Sequence, residues 1–102
     1  MGLDFTNIKD DPGCAIYLIH DGTEIDKLSF IKLAETLKKN TTKQIVIMSR
    51  EEKSADSFIK FYQLRGTHFV LIVRDDDQLH HVWSDGEHFD ASQIAYLANQ
   101  AG

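Results

Sequence analysis

The sequence is poor in cysteine, proline, positive charge and long apolar runs, and each shortage excludes something. Cys14 is the only cysteine among 102 residues. No intramolecular disulfide can form and no cysteine-rich metal site can be built. One thiol fits a reducing compartment. The net charge is −5, and the lysines at 27, 32, 38, 39, 43, 53 and 60 are scattered along the chain. A nucleic-acid binder needs concentrated positive charge to displace counterions from phosphate, so nucleic acid is excluded as a partner. The longest apolar run, FVLIV at 69–73, is too short to span a bilayer, which removes the membrane as well. The opening MGLDFTNIKDD has neither a basic nor an apolar leader region, and the expected compartment is the cytoplasm. Met1-Gly2 with Thr6 loosely matches a myristoylation pattern; a start codon followed by a small residue is the plainer account. Gly22, Gly66 and Gly86 are isolated, so no glycine-rich phosphate loop exists, and no G-x-S-x-G surrounds any serine. No cofactor and no metal are assigned.

What remains is enough for one domain over residues 1–102, with a short N-terminal extension at 1–13. A chain of this size buries about 65% of its unfolded surface. The one proline stands in Asp11-Pro12-Gly13, a turn signal. Ala15–Ile19 is an apolar run of strand length and predicts a strand covered on both faces. From Asp26 to Lys39 the pattern turns helical: Leu28, Ile31, Ala34 and Leu37 recur, with Phe30 and Leu33 widening the stripe. Thr23 or Asp26 can cap this helix. Gln44–Met48 reads as a second buried strand. Ser54 is the expected cap of a helix with apolar positions Phe58, Phe61 and Tyr62. Phe69–Val73 is a third buried strand. Asp75-Asp76-Asp77 makes a tight, solvated turn, without the spacing of a calcium loop. Strict alternation over Leu79–Trp83 puts Leu79, His81 and Trp83 on one face and His80 and Val82 on the other, the mixed polarity of an edge strand. Asp90 and Gln93 form a capping box for a final helix carrying Ile94, Leu97 and Ala101 inward. The expected fold is α/β, in the order β-α-β-α-β-β-α, with a four-stranded mixed sheet and helices on both faces.

The segment Tyr62-Gln63-Leu64-Arg65-Gly66-Thr67-His68-Phe69-Val70-Leu71-Ile72 resembles the thioredoxin stretch Y-G-I-R-G-I-P-T-L-L-L. Asp90 through Leu97 is similar to that family's capped last helix, and Ile16 through Gly22 to the strand before its redox loop. The resemblance covers residues 15 to 100 and implies a thioredoxin-like domain. It lays the family's C-x-x-C on Thr23-Glu24-Ile25-Asp26, where no thiol stands, and the family's cis-proline on His68. Dithiol exchange needs a thiolate of lowered pKa and a resolving thiol, so disulfide oxidoreductase activity is withdrawn. A non-proline cis bond costs about 2.5–4 kcal/mol, so a trans peptide is expected before His68.

The resemblance leaves an edge formed by His20, Asp21, Thr23, Glu24, Ile25, Asp26, Thr67 and His68, together with Asp85-Gly86. The leading expectation is a redox-inactive module that binds a protein through this edge, an adaptor or chaperone-like part, as a monomer or weak homodimer. A second is an enzyme of another class, with His68 or His20 as acid–base beside Asp21, Glu24 or Asp26; the same two histidines could instead be ligands of a weak metal site, or strand-end residues facing water. A third is glutathione-linked chemistry through Cys14. His80 and His81 point to opposite faces and cannot share an ion, and with His88 they suggest no metal site. Trp83 and His81 could belong to an exposed contact patch.

Overall fold

A computed structural model describes residues 13–101. The myristoylation-like start and most of the Asp11-Pro12-Gly13 turn lie outside the described residues. The elements run β1 (Cys14–His20), α1 (Glu24–Lys38), β2 (Gln44–Ser49), α2 (Lys53–Phe61), β3 (Phe69–Arg74), β4 (Leu79–Trp83) and α3 (Ala91–Ala101). They build an α/β fold around one four-stranded mixed sheet of order β2-β1-β3-β4. The strand β1 runs parallel to β2 and antiparallel to β3, and β4 is antiparallel to β3.

The central strands β1 and β3 are the apolar runs, because only a strand covered on both faces can be apolar at every position. Alternation sends Ile16, Leu18, Val70 and Ile72 to one face, where they meet Phe30, Ala34 and Leu37 of α1 and Ile94, Ala95 and Ala98 of α3. Ile19, Phe69, Leu71 and Val73 face the other way, onto Ala55, Phe58 and Ile59 of α2. Helices therefore cover both faces.

Five expectations are corrected. Gln44–Ser49 is not buried on both faces: it lies at an edge of the described sheet, and Ile47 is exposed. Leu28 leaves the buried stripe of α1, which is Phe30, Leu33, Ala34 and Leu37. The helix α2 starts after Glu52 rather than on a Ser54 cap, and Phe61 at its end is exposed. In β4 a bulge intervenes: Ile72 pairs with His81 but Val73 pairs with Leu79. His80 is the extra residue, so Leu79 joins Val82 on the α2 face while Trp83 packs with α1 and α3. Cys14, expected just before the first strand, is its first residue. No helix among the described residues is long and apolar enough to cross a membrane.

Candidate functional site

The register Ile19↔Phe69 brings the C-terminal end of β1 beside the N-terminal end of β3. His20 and His68 extend these two strands past that pair, and the loop into α1 starts at the same place. A turn is built there from short side chains. The Asp21 carboxylate accepts from the Thr23 N–H at 2.8 Å and from the Thr23 hydroxyl at 2.7 Å. Thr23, the N-cap of α1, accepts in turn from the Asp26 N–H. The Asp21 N–H closes the ring by donating to Asp26 Oδ2 at 2.8 Å. The bonds from Thr23 hold the Asp21 carboxyl below its ordinary pKa. The Thr23 hydroxyl is thus committed on both sides, donating to Asp21 and accepting from the Asp26 N–H.

Asp26 reaches across to β3. Its carboxylate accepts from His68 Nδ1 at 2.9 Å, and the side chains are only 14% and 26% exposed. The peptide before His68 is trans, as no cis bond occurs among the described residues. The imidazole sits against the rings of Phe30 and Phe89, with centroids at 5.5 and 5.1 Å. Its Nε2 faces Asp85 Oδ1 at 3.7 Å, too far for a hydrogen bond.

Asp85 pins the loop before β3. It accepts from the Thr67 N–H at 3.0 Å, from the Thr67 hydroxyl at 3.1 Å and from the His68 N–H at 3.2 Å. The Thr67 N–H foremost, then the His68 N–H and Thr67 hydroxyl, lower the Asp85 pKa. Gly66 makes this approach possible: its φ is +128°, and a Cβ there would stand 3.1 Å from the Asp85 carboxylate. Arg50 holds the same turn from β2's end, donating to the Gly66 carbonyl at 2.5 Å.

The structure therefore unites Asp21, Thr23, Asp26, Thr67, His68 and Asp85. His20 is adjacent but buried, not facing water, and its Nδ1 accepts from the Gly22 N–H at 3.1 Å. Glu24 and Ile25 stay outside the network, on the exposed first turn of α1; Ile25 is 82% exposed. Beside the cluster lies a pocket of about 430 Å³ walled by Phe30, Leu33 and Phe89, with Asp26, His68 and Glu87 as polar groups. Ser29 and His88 complete its lining. Sequence reasoning missed Glu87, Phe89 and Arg50, which no motif marks, and read Phe30 only as core. Trp83 is buried, so the suggested patch with His81 shrinks to His81 resting on the indole at 4.2 Å. Cys14 lies at the opposite end of β1, about 20 Å away by strand rise, buried with its thiol donating to the Ala98 carbonyl at 3.3 Å. Among the described residues no group of three or more His, Cys, Asp or Glu is disposed to hold a metal ion. No family model matches this chain, and no curated protein matches it.

Proposed function

We propose that this chain is a thioredoxin-like domain without thiol chemistry, serving as a protein-binding module through the edge at residues 20–26, 67–68 and 85. Support for the fold assignment is the strand order β2-β1-β3-β4 with only β1 and β2 parallel, flanked by helices on both faces. The observation carrying the function is Ile25, 82% exposed on a turn whose neighbours are fixed by hydrogen bonds. A large aliphatic side chain on a preorganised turn, ringed by charged and polar groups, has the make-up of an interface anchor. No core packing among the described residues uses it.

The test compares capture of native partners by the wild type and by a Glu24→Ala/Ile25→Ala variant. His68 is left in place because its removal would undo the edge itself. Loss of a captured partner in the variant, with unchanged thermal stability, supports the module. Retention of every partner refutes the surface.

A second reading rests on the Asp26–His68 contact. An Asp26 carboxylate accepting from Nδ1–H leaves Nε2, on the Asp85 side, to take or give a proton, an orientation suited to general acid–base work. It requires a perturbed histidine. An NMR titration in which all five histidines follow the ordinary value of about 6.5 removes this reading.

A further inference from the structure

The pocket beside His68 has a definite charge and shape. Two carboxylates, Asp26 and Glu87, line it, and among the described residues neither lysine nor arginine does. They differ in what already compensates them. Asp26 lies in the first turn of α1, next to the positive end of the helix dipole, and is engaged by His68 and the Asp21 N–H. Glu87 uses one oxygen to accept from the Ser84 N–H at 3.1 Å and is otherwise exposed. Among the described residues its charge is the one without a cationic partner. The accessible apolar side is Leu33 and Phe89, with Phe89 backed edge to face at 5.5 Å by Phe30, which is only 2% exposed. A ligand matching this wall needs an extended apolar stem and a positive end.

We propose that the pocket takes a basic side chain, lysine or arginine, of a partner protein, with its stem along Leu33 and Phe89 and its charge at Glu87. This rests on reading the edge as a protein-binding surface, and it adds the partner's chemistry. An anionic ligand would meet Asp26 and Glu87 head on, and the α1 terminus is already complemented by Glu24 and Asp26. A neutral apolar ligand would leave Glu87 desolvated without a counter-charge.

The experiment is an NMR titration of the intact chain with blocked Gly-Lys-Gly and Gly-Arg-Gly peptides and their Gln and Glu counterparts. Basic peptides are expected to move the amides of Ser29, Leu33, His68, Glu87 and Phe89, but not those of Tyr62 or Leu79 on the opposite face. Glu87→Gln keeps an oxygen to accept from Ser84, so the loop is retained; it is expected to weaken the Lys peptide about 5-fold, as loss of one solvent-accessible ion pair would. A Gln peptide that binds as tightly as the Lys peptide, or a Glu87→Gln protein with undiminished affinity, overturns the proposal. The two readings fail separately. Basic-peptide binding without partner loss in Glu24→Ala/Ile25→Ala refutes the surface alone; partner loss without preference for basic peptides refutes the pocket alone.

Discussion

Replacing Gly66 by alanine should damage the site more than a glycine's usual conformational freedom explains. Three glycines of the edge loops have left-handed φ values, Gly22 at +99°, Gly66 at +128° and Gly86 at +87°, and the last two flank the Asp85 contact. A Cβ on Gly86 meets nothing within 4 Å, whereas one on Gly66 comes within 3.1 Å of the Asp85 carboxylate. Gly86→Ala therefore measures backbone strain alone, about 1 kcal/mol. Gly66→Ala adds displacement of Asp85 from Thr67 and His68, for a total of about 2–3 kcal/mol. With an unfolding entropy of about 2.1 cal/mol/K per residue, 1 kcal/mol corresponds to about 5 °C in a chain of this length. The expected falls in Tm are about 5 °C for Gly86→Ala and 10–14 °C for Gly66→Ala. Calorimetry of both variants, and of each in an Asp85→Ala background, separates the contributions. In that background the two glycine substitutions should cost about the same, because the carboxylate is gone. Equal Tm losses for Gly66→Ala and Gly86→Ala in the wild-type background would refute the close approach.

Thr23→Ala removes the cap of α1 and the hydroxyl donor on Asp21, leaving the backbone N–H bond to Asp21 in place; chemical denaturation should show a loss of about 1 kcal/mol, and Thr23→Ser should restore most of it. Cys14, buried in the core, should react with an aromatic disulfide reagent only as fast as the chain unfolds, so a rate independent of denaturant would contradict its placement. The folded pKa values of Asp21 and Asp85 are depressed, so their contribution is present above the unfolded carboxylate value and lost as pH falls through the folded one. Stability followed from pH 6 down to pH 2 should therefore decline on its acid limb, and less steeply in Asp85→Asn.

Strand positions were legible where burial leaves no choice. The runs AIYLI and FVLIV became the two central strands, since water-exposed faces would have interrupted them with polar residues. Helix faces were less legible. A three-residue spacing turns back by about 60° per step on a helix of 3.6 residues per turn, so Leu28 and Leu37 cannot share a face, and Phe30 took the buried position instead. The bulge at His80 left no trace in LHHVW, because five residues alternate equally well in either register until the partner strand is known. At the site, Asp21, Thr23 and Asp26 could be grouped from local sequence, while Asp85 and His68 came near through the resemblance. Glu87, Phe89 and Arg50 converge only through long-range packing, and nothing in their neighbourhoods along the chain announces it.

The bulge in β4 has a bearing on how the molecule behaves when crowded. An outer strand with an even ladder of amides and carbonyls is a template onto which another chain can crystallise as a further strand. Here the ladder is interrupted at His80, the strand is only five residues long, and exposed imidazoles at His80 and His81 flank the break. Irregularity, shortness and polar side chains are the means by which natural sheets refuse growth. Among the described residues no strand lies beyond β4, and growth of the sheet is discouraged on this side.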